Sequence, residues 1–143
     1  MSGGVDSSVS EILLKKQGFE IIGVTFRVYN SQNQRLDTFE QSINDASFVA
    51  DELKIPYYII DVKKEFEQKI ISNFISEYYS GQTPNPCVLC NPEIKWKNLL
   101  EMANELDCNY IATGHYAIIN TKNNRFFISR GLDELKDQSY FLW

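Results

Sequence analysis

Short β-branched runs alternate with stretches of helical period through most of this chain, and that alternation constrains the fold more than any single residue. Val9, Ile12, Leu13 and Lys16 begin one helical repeat, which Gly18 stops at a C′ position. Residues 20–26 (EIIGVTF) are short and β-branched, the pattern of a buried strand. A polar loop follows over residues 30–41. Ile43, Ala46, Val49, Ala50 and Leu53 then mark a helix by their spacing, and residues 56–60 (PYYII) a second strand. Phe66, Ile70, Phe74 and Tyr78, with Ile71 and Ile75 beside them, line one face of a longer helix and read as core. Leu99, Ala103 and Leu106 mark another helix with Trp96 nearby, residues 109–112 a third strand, and the region 121–124 a hairpin. The pattern predicts an α/β fold, a parallel sheet with flanking helices, plus a short β-hairpin near the C-terminus.

A loop that opens a helix in such a sheet is normally presented by a strand before it. Nothing precedes residue 1, and the amphipathic run 136–142 (KDQSYFL) has no terminator, so the first strand is expected to be missing and both ends truncated. The 143 residues suit one domain. No apolar run approaches the ~20 residues of a membrane span and no signal-like start is present, which points to the cytoplasm. Three cysteines, an odd number, argue against a disulfide framework. A net charge of −5 lends no support to a nucleic-acid partner, although a local basic patch suffices for one.

Ser2-Gly3-Gly4-Val5-Asp6-Ser7-Ser8 stands directly before the first helix. Glycines let the backbone approach a ligand closely, and a helix N-terminus presents unpaired N–H groups and the positive end of a dipole. Ser2, Ser7 and Ser8 add hydroxyl donors. Asp6 is out of place against a bare phosphate and suits Mg²⁺ instead. No Lys follows the second glycine, so this is not a Walker-type loop. Ser8-Val9-Ser10-Glu11 also fits an S-x-x-E capping box, which accounts for Ser8 and Glu11 but not for the glycines, Asp6 or Ser2.

The second motif is 83–96 (TPNPCVLCNPEIKW). Residues 81–86, with two prolines two residues apart, are predicted to be neither helix nor strand. Cys87 and Cys90 are expected just before a helix, where its dipole would lower a thiol pKa from ~8.5 toward neutrality and make a nucleophile or sulfur carrier. Half a zinc site and a redox pair remain open alternatives, although no second CxxC completes the former.

SGGVDSS resembles the pyrophosphate-binding loop of the ATP-pyrophosphatase superfamily, which includes GMP, NAD and argininosuccinate synthetases and tRNA-thiolating enzymes. The stretch 83–96 resembles the tRNA 2-thiouridylase signature NPxxxCNxxIKF, and 112–116 (ATGHY) and 135–142 (LKDQSYFL) resemble two further blocks of that family. Four blocks in family order span the chain. It is identified as a member of the family, with residues 1–143 as an ATP-binding catalytic domain on a Rossmann-like fold.

That resemblance implies ATP and Mg²⁺ as cofactors, a tRNA substrate and a persulfide sulfur-donor protein as partners, and neither membrane nor DNA. Met1, Ser2, Gly3, Gly4, Val5, Asp6 and Ser7 would lie on the ATP phosphates, with Phe26 at the adenine and Gly114 at another ATP contact. Asn85, Pro86 and Cys87 would hold the target base, Lys136, Asp137 and Gln138 would touch tRNA, and Cys90 would be the catalytic cysteine. The implied reaction is adenylation of the wobble uridine at its C2 oxygen, then sulfur transfer. Many members carry Asp where Cys87 stands, leaving open a second thiol or an iron–sulfur role there. The family's persulfide-bearing cysteine lies beyond residue 143, and Cys108 comes too early to replace it. A remnant that only binds nucleotide or tRNA, or another tRNA sulfurtransferase of the superfamily, are the alternative readings. His115, the only histidine, is either an acid–base group or a residue that orients the loop beside ATP.

Overall fold

The computed structural model describes residues 1–28 and 37–142, with backbone alone for residues 37–39. These residues form two compact units, Met1–Lys64 with Ala112–Gly114, and Glu65–Ile111 with the residues from His115 onward.

The first unit holds α1 (Val5–Lys16), β1 (Gly23–Arg27), α2 (Asp37–Leu53) and β2 (Tyr57–Asp61). β1 and β2 pair in parallel, from Gly23 opposite Tyr57 to Arg27 opposite Asp61. The parallel α/β expectation is borne out. On the other edge of β1, the Met1 amino group donates to the Val24 carbonyl, and the Met1 carbonyl accepts a bond from Thr25 Oγ1 at 2.7 Å. α1 ends as the sequence predicts. Gly18 sits at φ +89°, its N–H donates to the Lys15 carbonyl, and the Phe19 N–H donates to the Leu14 carbonyl, which satisfies two otherwise orphaned acceptors. α2 buries Ile43, Ala46 and Ala50, the expected stripe, and its small alanines allow close approach of neighbouring backbone.

Three expectations need correction here. α1 opens at Val5 with Gly4 as N-cap, so Ser8 is inside the helix and its Oγ donates to the Gly4 carbonyl at 3.0 Å; no capping box forms. The polar loop expected over 30–41 is helical from Asp37, where acidic residues favour a helix start; residues 29–36 lie outside the described residues. The third strand expected at 109–112 carries no ladder, because a strand-like composition becomes a strand only beside a free edge, and no described strand pairs with it.

In the second unit, α3 (Lys63–Phe66, its first two residues in the other unit) runs through a π turn (Glu67–Ile71) into α4 (Ser72–Tyr79). A π turn inserts a residue and rotates the downstream face, so the predicted stripe breaks. Ile70 is buried, yet Phe74 and Tyr78 are exposed and stack edge-to-face at 4.9 Å, which corrects their reading as core. α5 (Pro86–Cys90) continues through a second π stretch (Asn91–Trp96) into α6 (Lys97–Glu105). Pro92 lacks an N–H and its ring crowds the preceding turn, and the widened turns accommodate it. Glu65 receives Lys69 and Lys97 at 3.1 Å each, and Lys69 also reaches Glu93 at 2.8 Å, tying the two helical stretches together. β3 (Ala117–Lys122) and β4 (Arg125–Arg130) form the predicted hairpin. Its two-residue turn, Asn123-Asn124, has φ of 51° and 58°, a primed turn that Asn tolerates and whose twist matches the strands.

Candidate functional site

The glycine-serine loop of the first unit is shaped by backbone. Gly3 lies at φ +71°, and a Cβ there would stand 2.3 Å from the Ser42 carbonyl oxygen of α2. Gly114 is tight but less so: its Cβ would come within 3.2 Å of Ser10 Oγ and of the Ser7 Cα, and 3.3 Å of the Asp6 carbonyl carbon. Gly3 thus admits the backbone of α2 beside the loop, and Gly114 lets its own segment pack closely on the first turns of α1. Between them the helix N-terminus has no side-chain cap. The Ser7 hydroxyl lies 3.2 Å from the Ser2 amide nitrogen and from the Ser2 hydroxyl, and donates to the Gly4 carbonyl at 3.0 Å. Asp6 is exposed in that turn. An uncapped, dipole-positive helix start, bordered by hydroxyls and held free of Cβ atoms, is an anion cradle, and it fits the phosphates of a nucleotide. Phe26 lies half-buried near the C-terminal end of β1.

Beneath α1, Glu11 is buried at 8% exposure, and burial raises its carboxyl pKa, opposed by the charge of the Met1 amino group. Tyr57 donates to Thr25 Oγ1 at 2.8 Å, and burial raises its phenol pKa as well.

The thiol segment of the second unit is shaped by buried side chains. Asn85 precedes the helix, exposed, and Pro86 occupies its first position, where a missing N–H costs nothing. The helix thus starts before Cys87, and both cysteines lie within its first turns, not ahead of it as the sequence suggested; Pro86 too is helical. Cys87 is exposed and Cys90 buried. Burial raises the Cys90 thiol pKa, the Lys95 charge opposing and Cys87 adding to the rise. The expected fall toward neutrality is therefore not found for Cys90, because desolvation outweighs the opposing Lys95 charge.

Next to Cys90, Asn91 is 1% exposed and its Nδ2 donates to the Phe141 carbonyl at 2.7 Å, while its Oδ1 is buried with no partner among the described residues. His115 faces the rings of Trp96 and Phe141 edge-on, 6.1 Å to each. Burial lowers its pKa and the Lys95 charge lowers it further, so the imidazole is neutral at pH 7. The 136–138 stretch divides by role. Asp137 accepts from the Gly131 N–H at 2.8 Å, the Ser139 N–H at 3.2 Å and the Ser139 hydroxyl at 2.9 Å, bonds that hold its carboxyl below the usual range. Gln138 Oε1 accepts from the Tyr116 N–H at 2.9 Å. Lys136 remains exposed, its ammonium 5.0 Å from the Tyr116 ring centroid. No cluster of three or more His, Cys, Asp or Glu suited to a metal ion occurs among the described residues.

The model of the family described as the tRNA methyl transferase HUP domain matches residues 1–143. The chain belongs to this family. Its HUP domain is Rossmann-like, in agreement with the parallel sheet and flanking helices of the first unit. The chain is also similar to curated proteins named tRNA-specific 2-thiouridylase MnmA. The one from Cytophaga hutchinsonii is 51% identical over 149 residues, and that from Amoebophilus asiaticus 52% identical over 149 residues; each alignment takes 100% of this chain and 40% of the relative. The one from Salinibacter ruber is 49% identical over 152 residues, with the same coverage. The chain thus spans about 40% of the length of the curated relatives it matches. No helix among the described residues is long and apolar enough to cross a membrane.

Within the first unit Ser2, Gly3, Gly4, Asp6, Ser7 and Gly114 converge on one helix start; within the second, Asn85, Pro86, Cys87 and Cys90 follow one another along the start of α5. Three residues at these sites went unassigned by sequence reasoning. Ser42 meets Gly3 with its carbonyl, which no side-chain pattern signals. Asn91 carried one faint sign, a polar residue inside an otherwise apolar helix face. Phe141 joins His115 from a distant part of the sequence, and nothing local announces it.

Proposed function

We propose that this chain is the ATP-binding, uridine-activating part of a tRNA 2-thiouridylase. The observation that carries the reading is the uncapped start of α1, preceded by Gly3, where a Cβ has no room, and packed closely by Gly114. The names of the curated relatives support the same activity. ATP, when bound, supplies an α-phosphorus to which the uridine C2 oxygen bonds as pyrophosphate leaves, turning that oxygen into a leaving group. The amides of the α1 start and the Ser2 and Ser7 hydroxyls would hold the phosphates, Asp6 would hold Mg²⁺, and Phe26 would meet the adenine. Gly114 lets its segment pack closely against Ser7 and Ser10 of α1. Asn85, Pro86 and Cys87, on the exposed start of α5, hold the target base, and Lys136 meets the tRNA backbone. Asp137 and Gln138 act on tRNA by fixing the segment that presents Lys136.

Cys90 resolves the sulfur transfer. A persulfide on a second cysteine attacks C2 and AMP departs; the Cys90 thiolate then bonds to that cysteine's sulfur, breaks the S–S bond and leaves sulfur on the base. Burial, which raises the Cys90 pKa, also shields the thiol from adventitious oxidation. His115, flanked by the rings of Trp96 and Phe141, orients its segment. Methyl transfer, the chemistry in the family description, calls for no pyrophosphate grip and no paired thiols, so the residues favour thiolation.

The test is incubation of the chain with ATP, Mg²⁺ and a tRNA transcript, following pyrophosphate release. Release that depends on tRNA and disappears when the wobble uridine is replaced by cytidine is expected. ATP turnover indifferent to tRNA, or methylation of the tRNA from a methyl donor, would overturn the reading.

A further inference from the structure

The hairpin tip of the second unit has no role in the reaction described above, and its chemistry is out of keeping with the chain around it. From Cys108 to Leu132 the sequence contains no Asp or Glu, in a chain of net charge −5, while Lys122, Arg125 and Arg130 fall in that stretch. In the ladder, Lys122 stands directly opposite Arg125, on either side of the Asn123-Asn124 turn. Like charges facing each other across a strand pair destabilise it, and neither cation joins an ion pair among the described residues. The turn is sound without them, since its asparagines supply the geometry. Beside the cations Phe126 is 79% exposed and Phe127 45%. Phe127 shares a face with the Lys122–Arg125 pair, two residues along the strand from Arg125 or about 7 Å. Lys122, Asn123, Arg125, Phe126 and Phe127 line one open cleft of about 730 Å³.

Paired cations with an adjacent bare ring are the parts that grip single-stranded nucleic acid: phosphates meet the charges and a base stacks on the ring. We propose that the hairpin tip is an RNA-contacting surface, in which Lys122 and Arg125 hold backbone phosphates and an unstacked base lies on Phe127. The proposal rests on tRNA being the substrate and adds a contact surface to it. It also answers the net charge, because a basic patch this local escapes a count over the whole chain.

The experiment measures binding of a tRNA transcript to the full chain across a salt series. The wild type is compared with Lys122→Gln/Arg125→Gln, Lys122→Arg/Arg125→Lys and Phe127→Ser, each checked for an unchanged thermal midpoint. The double glutamine variant is expected to bind about 10-fold more weakly at 0.1 M salt, and its log–log salt slope to shrink by roughly 1.4–1.8. The charge-retaining variant should keep the wild-type slope, and Phe127→Ser should lose about 5-fold or more with its slope intact. Wild-type affinity and slope in the double glutamine variant would overturn the hairpin proposal and leave the substrate reading standing. Failure of the wild type itself to bind tRNA would bring down both. Displacement of tRNA by polyglutamate at equal charge concentration would overturn the RNA assignment in favour of an acidic protein.

Discussion

The Ser2–Ser7 loop and the Cys90 helix are each fixed in place, with opposite materials. The loop is backbone: one glycine that admits no Cβ and a second packed closely on α1, an uncapped helix start, and hydroxyls bonded within the turn. The cysteine segment is side chain: a buried asparagine, a neutral imidazole facing two rings, and a thiol whose ionisation is suppressed by burial. A backbone site fails when atoms are added to it, whereas a side-chain site fails when atoms are taken away. That difference orders the expected effects of substitution.

Adding one methyl should do the most harm. Gly3→Ala puts a Cβ at φ +71° and 2.3 Å from the Ser42 carbonyl. It is expected to cost about 2–4 kcal/mol and to remove ATP binding, seen as a lowered denaturant midpoint and a lost binding heat. Gly18→Ala is the comparator: φ is +89° but nothing lies within 4 Å, so it should cost only about 1 kcal/mol. Equal losses from the two would show that the close approach at Gly3 is not what matters.

Deletion should be next in size. Asn91→Ala removes the bond to the Phe141 carbonyl and is expected to cost roughly 1–3 kcal/mol in chemical denaturation. ATP affinity should hold if the two regions are separate devices. An equal fall in ATP affinity would contradict the contrast drawn between them.

Reactivity sharpens the comparison within one helix. Cys87 is exposed, whereas Cys90 is buried with a raised pKa. Iodoacetamide at pH 8 should modify Cys87 at least about 10-fold faster, as read by peptide mass mapping. Faster modification of Cys90 would rule out its suppression by burial.

The smallest effect belongs to the ion network of the second unit. Lys69 and Lys97 hold the Glu65 carboxyl at about 2, below its ordinary value of 4.5. A depressed carboxyl contributes stability above the unfolded pKa and loses it as pH falls through the folded one. The window is therefore about pH 4.5 down to 2. Because these side chains are partly open to water, the contribution is expected to be about 1 kcal/mol. Glu65→Gln should flatten the acid limb of the stability curve across that window, and an unchanged limb would assign the acid loss elsewhere.

What the sequence made legible follows the same division. Gly3, Gly4, Ser7 and Gly18 act through local backbone geometry, so a loop before a helix and a stop after it could be read residue by residue. The stripe Ile43, Ala46 and Ala50 and the Asn123-Asn124 turn are equally local. Some failures are local, the capping box at Ser8 and the helix starts at Asp37 and Pro86, whereas others depend on surroundings that a short motif does not report. A strand at 109–112 needed an edge to pair with. The face carrying Phe74 and Tyr78 needed a helix without a π turn. The Cys90 pKa needed knowledge of burial, which reversed the direction inferred from the helix dipole alone. Asn91 and Phe141 meet across fifty positions of sequence, out of reach of any short motif.

The most direct test of the phosphate cradle is calorimetric titration of the chain with ATP and Mg²⁺, beside Asp6→Ala and Gly114→Val. Saturable binding is expected for the wild type, about 10-fold weaker without the Asp6 carboxylate and lost once a side chain at Gly114 presses on Ser7 and Ser10 in the first turns of α1. A wild-type chain that unfolds cooperatively yet takes up no ATP, or binds it equally well in all three forms, would contradict the assignment of this loop to the nucleotide.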